Sequence, residues 1–409
     1  MKIAIIASGF LPVIDGVTVS GLARVKKLSE WGHEVLLFCP DYSSLAELYP
    51  QWQEYTGQIL PGVRVCNLPS TPFFVEFERN VGFQSYRELI TELETFQPDV
   101  IHVDEPERLF MGFLKVPGVK FARQHNIPCF GFFRTNFLQY AEDFLPLPTP
   151  LLNLCKWMFK TMVLKVYNSY DFTLVSSKIT HQELIDLGIK NTKYANLLGF
   201  DHDRYTPNLK QPQFWQEQFN LNLGDKVKLI FVGRLTPDKG WDFTIKALAN
   251  LSEKFDLNQL ALIVVGDGEL KTMIETKLKT YCNSVHCLGR ITPELMPSLY
   301  ANSDIHVTTS EKETRGLTIL EAFASGITVL APKAGGVVEN IDHGVNGLLY
   351  EPQHVEDFQE KLLHLVRDPV LRSDLGAKGV QGMDRYHWDT TVKNLVNLWQ
   401  DQIKAKAPS

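Results

Sequence analysis

Several things are missing from this sequence, and each absence narrows what it can be. No apolar run reaches the ~18 residues that a membrane-crossing helix needs. The opening segment MKIAIIASGFLP has no A-x-A cleavage site and runs on into Pro12 and Asp15, so it reads as a first strand rather than a signal peptide. Six cysteines (39, 66, 129, 155, 282 and 287) form no C-x-x-C pair, which argues against zinc and for free thiols in a reducing compartment. There is no surplus of positive charge: 41 Lys and Arg stand against 47 Asp and Glu, a net charge of −6. That balance excludes a dedicated nucleic-acid binder. A Walker A loop, G-x-x-x-x-G-K-[ST], is absent. So are short repeats and low-complexity segments, and 44% hydrophobic with 22% charged residues is the composition of a globular chain. What the chain has in excess is aromatic: 25 Phe, 13 Tyr and 7 Trp, or 11% of all residues.

At 409 residues the chain exceeds the ~250–300 at which single cores stop growing, so two domains are expected. Apolar β-branched runs at 2–7, 33–39, 99–103, 128–133 and 171–176 read as strands, and a second set follows at 228–233, 261–266, 284–289, 304–310 and 327–331. Amphipathic stretches at 16–31, 107–124, 178–187, 240–254 and 354–367 separate them. Alternation of this kind predicts α/β architecture, with two Rossmann-like sets of parallel strands covered on both faces. The polar, Pro-containing stretch 199–225 marks the boundary. The expected division is 1–198, 199–387 and a last helix from 388 to the end.

Two segments carry anion-binding chemistry. FVGRLTPDKG (231–240) ends a strand and opens a helix, with Arg234 and Lys239 five residues apart. Two cations beside a helix N-terminus suit a diphosphate; a solvated loop is the plainer alternative. TTSEKETRGLTILEAFASG (308–326) places Glu313 before a helix and Glu321 inside it, with Gly316 at the helix start. Backbone N–H groups there approach an anion closely, and Glu321 is placed to accept hydroxyl hydrogen bonds from a ribose.

Taken in order, these segments resemble the retaining GT-B glycosyltransferases of family four, the glycogen-synthase-like group. FLPVIDGV (10–17) is similar to the family's N-terminal glycine loop, FVGRL with Lys239–Gly240 to its diphosphate pair, VVGDGEL (264–270) and LGRI (288–291) to its nucleotide-pocket segments, and SEKETRGLTILEAFASG to its paired-Glu signature. VNGLLYEP (345–352) and Trp388 extend the likeness over nearly the whole chain. The resemblance implies a GT-B fold of two domains facing a cleft. In it a C-terminal helix returns to an acceptor-binding N-terminal domain, and the C-terminal domain binds the nucleotide-sugar. It further implies a UDP-sugar as donor substrate, no cofactor and no essential metal. Arg234 and Lys239 would hold the diphosphate, Gly16, Gly316 and Leu317 would offer N–H groups, Gly266 and Ile291 would line the nucleotide pocket, Glu321 would hold the ribose and Glu313 the sugar. DHD (201–203) looks like an acidic metal motif but falls in the interdomain turn. In one place the sequence departs from the pattern. Family members often carry His in a Y-H-T-N-F segment, whereas here FFRTNF (132–137) supplies Arg134. A guanidinium stays charged and is no general base, so Arg134 either donates hydrogen bonds to sugar, acceptor or phosphate, or is structural.

The acceptor is read from the aromatic excess. Phe130, Phe132, Phe133, Phe137, Tyr140, Phe144, Trp157 and Phe159 fall within 31 residues, followed or flanked by Lys156, Lys160 and Lys165. Such a segment fits either a core or a membrane interface in which lysines reach headgroups. FFVEF (73–77) and 144–154 are further candidates for exposed apolar surface, and Arg24, Lys26 and Lys27 add positive charge. The N-terminal half is most similar to the lipid-glycosylating branch typified by cyanobacterial digalactosyldiacylglycerol synthases. This implies galactose transfer from UDP-galactose to monogalactosyldiacylglycerol by a peripheral enzyme on the cytoplasmic side of a membrane. A sulfoquinovosyl or other hexosyl transfer, a UDP-sugar epimerase and a non-catalytic binding protein are the alternatives. His102, Asp104 and Glu105 either line the acceptor side or, for the two acids, cap the helix that Pro106 opens.

Overall fold

The computed structural model describes residues 1–13, 16–73, 79–134, 149–200, 202–313 and 316–407. The chain folds into two compact units, Met1–Gly199 with Trp388–Ser409, and Phe200–His387.

The first unit contains β1 (Lys2–Ala7), β2 (Glu34–Pro40), β3 (Gly57–Leu60), β4 (Val63–Leu68), a two-stranded ribbon of β5 (Ser70–Pro72) and β6 (Arg79–Val81), then β7 (Val100–Asp104), β8 (Cys129–Phe133), β9 (Phe172–Val175) and β10 (Thr192–Tyr194). Its main sheet runs β10-β9-β8-β7-β1-β2-β4-β3 and is parallel except for the antiparallel edge pair β3–β4. Side chains alternate between two cores. Ile3 and Ile5 of β1, with Val35 and Leu37 of β2, face one cluster; Ala4, Ile6, Leu36 and Phe38 face the other. Period-two alternation with both faces covered explains why these strands read as continuous apolar runs. The helix Trp388–Lys406 closes the first cluster. Its stripe of Val392, Leu395, Val396 and Trp399 packs with Phe10, Val25, Leu28, Phe130 and Phe132.

The second unit contains β11 (Val227–Val232), β12 (Leu260–Val265), β13 (Val285–Gly289), β14 (Ile305–Val307), β15 (Thr328–Pro332) and β16 (Leu348–Tyr350). These form an all-parallel sheet in the order β13-β12-β11-β14-β15-β16. Leu260, Leu262 and Val264 of β12 enter one core, and Ala261, Ile263 and Val265 the other.

The structure differs from the sequence reading in several places. The stretch 107–124 is two helices, Pro106–Phe113 and Val119–His125, because Leu114 adopts a left-handed backbone (φ 54°) and its N–H closes onto the Phe110 carbonyl. The strand expected to run to Ser310 stops at Val307. Phe130, Phe132 and Phe133 belong to the core, at no more than 6% exposure, so they form no lipid-facing surface. Arg24 is buried as well and adds nothing to a basic surface. Phe137, Tyr140 and Phe144, with 74–77 and 144–148, lie outside the described residues. All six cysteines are free thiols, three of them buried. No described helix is long and apolar enough to cross a membrane.

Candidate active site

In each sheet the strand order reverses once, between β1 and β7 in the first unit and between β11 and β14 in the second. Parallel α/β sheets bind ligands beyond the carboxyl ends of the strands at such switch points. The candidate residues lie on the loops that leave those ends.

In the second unit, loops after β11 and β12 lie backbone against backbone. A Cβ on Gly266 (φ 131°) would run into the Gly233 carbonyl oxygen, so only glycine fits there. The loop after β11 is pinned to the loop after β14 by the Thr309 hydroxyl, which donates to the carbonyls of Lys239 and Gly240, each at 3.1 Å. This tie brings Lys239 to Glu313 across 74 residues of sequence, with Nζ 2.6 Å from Oε1. Arg234 is 64% exposed and binds Asp238 at 3.2 Å; the same Asp238 oxygen lies 3.9 Å from Lys239. Asp238 therefore partly neutralises both cations, a role that sequence reading missed. The Glu313 carbonyl accepts from the Gly336 N–H at 2.6 Å, which ties the loop to the one after β15. Gly316 (φ 67°) occupies the N-cap of the helix Leu317–Ala324, and Leu317 is 43% exposed. Thr314 and Arg315 lie outside the described residues.

Glu321 lies inside that helix, half-buried, and its Oε1 accepts from the Tyr205 hydroxyl at 3.1 Å. Burial pushes its carboxyl up to about 6, against the Tyr300 and Tyr205 hydroxyls, which favour the ionised form. Tyr205 is a second residue that sequence reading missed, since it is 116 positions away. Ile291, just beyond β13, packs partly buried against the core that holds Ala261, Ile263 and Val265 of β12. Asp201 lies outside the described residues, and Asp203 pairs with His387 at 3.8 Å. Among the described residues no cluster of three His, Cys, Asp or Glu suits a metal.

In the first unit, Gly16 opens the helix Gly16–Glu30 and is exposed. Arg134, just past β8, points its guanidinium into that helix start. It donates to the carbonyls of Val17 (3.2 Å) and Gly16 (3.3 Å) and to the Ser20 hydroxyl, and its side chain is 5% exposed. Asp104, at the end of β7, is buried and ion-paired to Arg24, with Arg134 at 3.9 Å and His102 Nε2 at 3.2 Å. Burial alone would raise the Asp104 carboxyl, but the Arg24 guanidinium outweighs it and holds the group well below the usual carboxylate range. Burial pushes His102 down to about 4, so the imidazole is neutral near pH 7. Asp104 is thus no helix cap. Glu105 does occupy the N-cap position of helix Pro106–Phe113, but its carboxylate accepts from Ser8 rather than from a helix amide.

Comparison with known proteins accords with this geometry. Residues 213–381 match the family described as "Glycosyl transferases group 1", and residues 14–195 match "Glycosyltransferase Family 4". A GDP-mannose-dependent alpha-mannosyltransferase of Mycolicibacterium smegmatis is 30% identical over 86% of this chain and 84% of its own length. The sulfoquinovosyl transferase SQD2 of Arabidopsis thaliana is 26% identical (91% and 68% covered), and the alpha-monoglucosyldiacylglycerol synthase of Streptococcus pneumoniae 25% (87% and 76% covered). Among solved structures, the sucrose-phosphate synthase of Thermosynechococcus elongatus superposes with a TM-score of 0.73 over 99% of both chains at 17% identity. Anabaena HepE in complex with UDP gives 0.72 over 98% and 100% at 18% identity. With these matches over both units of a GT-B fold, the chain belongs to the group 1 and family 4 glycosyltransferases and is a sugar-nucleotide-dependent hexosyltransferase.

Proposed function

We propose that the protein is a retaining, metal-independent transferase that moves a hexose, galactose, from a UDP-sugar to a membrane glycolipid, monogalactosyldiacylglycerol. The observation that carries the donor half is the Lys239–Glu313 pair beside the Gly316 helix start. Sugar transfer expels a diphosphate and leaves positive charge on the sugar. Lys239, Arg234 and the N–H groups of Gly316 and Leu317 form a fixed positive field for the departing phosphate, which is the work a metal does in other transferases. Glu313 accepts from sugar hydroxyls, Glu321 from the ribose, and Gly266 and Ile291 border the base. Gly16 of the first unit adds a phosphate-binding N–H. With no second carboxylate identified as nucleophile, the departing phosphate itself takes the acceptor proton on the same face of the sugar.

The acceptor half rests on the helix Thr149–Tyr167, which carries three lysines and no acid. Leu154 (50% exposed), Trp157 (64%) and Met158 (58%) form one outward stripe that runs on to Lys165. Lys165 joins Lys115, Lys120 and Arg123 around a surface cavity of about 540 Å³ with Tyr86 and Val119 at its base and no carboxylate in its lining. An apolar stripe ending in a basic rim is the chemistry of a helix lying at a lipid headgroup layer. It supports peripheral attachment to the cytoplasmic face of a membrane. Kinship with a monoglucosyldiacylglycerol synthase supports a diacylglycerol-based acceptor; galactose rests on the N-terminal segments already described. A screen of UDP-galactose, UDP-glucose, UDP-sulfoquinovose and GDP-mannose on lipid vesicles tests the whole reading. Digalactosyl lipid is expected. Product from GDP-mannose alone sinks the donor, change in free UDP-sugar without lipid product supports an epimerase, and neither change supports a binding protein.

A further inference from the structure

We propose that Asp104 is a positioning residue for transfer: it clamps the guanidiniums of Arg24 and Arg134, and through Arg134 it fixes the first turn of the helix that begins at Gly16. This rests on the proposed contact of the Gly16 N–H with the donor phosphate. The geometry is specific. Asp104 ends β7 at the switch point, in register with Ala7 of β1 on one side and Phe132 of β8 on the other. Its carboxylate takes Arg24 from the helix Gly16–Glu30 and has Arg134 3.9 Å away on the loop after β8. Arg24, His102 and Asp104 are each at most 4% exposed. His102 Nε2, 3.0 Å from Arg24 Nη1, fills the remaining side of the cluster, and its ring is held edge-on between Phe132 (5.6 Å) and Trp399 (5.4 Å).

Arg134 spends its donors on that helix's first turn, at two carbonyls and the Ser20 hydroxyl, while Ser20 itself donates back to the Gly16 carbonyl at 2.6 Å. First-turn carbonyls ordinarily meet only the amides four residues on. Here they also meet a rigid planar cation, so the turn resists fraying. Arg24 and Asp104 fix the base of that helix to the sheet, and Arg134 fixes its start. Arg134 therefore acts through Gly16 and need not touch the reacting atoms.

The test uses the full-length protein with Asp104→Asn, Ser20→Ala and Arg134→Lys. Three quantities are read: UDP affinity by calorimetry, kcat and KM for transfer, and amide exchange at residues 20–24. The clamp predicts UDP affinity weakened by up to about tenfold, as one phosphate contact loosens, and a fall in kcat of about ten- to a hundredfold, since misplacement by an ångström has that effect. It also predicts exchange at 20–24, the amides that donate to the first-turn carbonyls, at least about tenfold faster, with exchange in the second unit unchanged. Arg134→Lys, with one point charge in place of a fork, falls between wild type and Asp104→Asn. Should Asp104→Asn fail to fold, Ser20→Ala decides, because it leaves every buried charge in place. A loss of kcat with exchange unchanged overturns the proposal and makes Arg134 a direct contact of the reactants. Faster exchange with kcat unchanged overturns it too and removes Gly16 from the donor site. No transfer by the wild type with any donor sinks the proposed function, while exchange at 20–24 still reports whether the clamp exists.

Discussion

Glu321 holds its carboxyl at about 6, and the sign of that shift has two consequences. The ionised form accepts hydroxyl hydrogen bonds best, so UDP affinity falls as pH drops through about 6, and Glu321→Gln flattens that dependence while weakening binding by about tenfold; calorimetry between about pH 5 and 8 checks both. For stability the direction is opposite. A carboxyl that is easier to protonate folded than unfolded stabilises below its unfolded value and loses that contribution as pH rises through about 6. Ligand-free Glu321→Gln accordingly melts higher than wild type near neutral pH, a function-for-stability exchange common at binding sites. Glu313 behaves differently because it neutralises Lys239. Glu313→Gln frees that cation, so UDP binding is unchanged or tighter while transfer falls about a hundredfold; weaker UDP binding would remove Glu313 from its role toward the sugar. Arg234 with Lys239 on one loop, and Glu313 with Gly316 on another, stood out as candidates in the sequence because each pair lies within a few residues. Asp238 and Tyr205 were not, and Arg24 was misread as a surface cation, because its partner Asp104 is 80 residues away.

At the scale of elements, central parallel strands announced themselves through unbroken apolar runs, as β12 shows with six buried residues in six. The edge strands β3, β10 and β16 did not: each is only three or four residues long, and β3 and β10 are half-exposed as well. The aromatic excess divided by element: β8 took its phenylalanines inward, whereas the helix Thr149–Tyr167 turned Trp157 outward. Composition alone does not separate those two fates; the period of the element does. The outward stripe has a direct consequence. Replacing Leu154, Trp157 and Met158 by Ser lowers vesicle binding by at least about tenfold with the melting temperature unchanged, as vesicle flotation and calorimetry would show. A fall in melting temperature would instead mean that the stripe is packed.

For the molecule as a whole, the first unit is built from two stretches of chain that enclose the second in the order of the sequence. Trp399 is fully buried in the first unit's core, and Trp399→Ala destabilises that unit by about 3–5 kcal/mol through the cavity it leaves. Denaturant melts followed by a probe in each unit should show the first transition shifted and UDP binding retained; equal shifts in both would mean that the units unfold together. The same enclosure orders events during synthesis. When residue 199 emerges, the first unit has its sheet but lacks one side of a core, and the second unit is made in full before residue 399 arrives. At about 5–20 residues per second, the stretch between them takes roughly 10–40 s. Through that interval the apolar face around Phe10, Val25 and Leu28 waits uncovered on the nascent chain, which makes it the surface a chaperone would meet first.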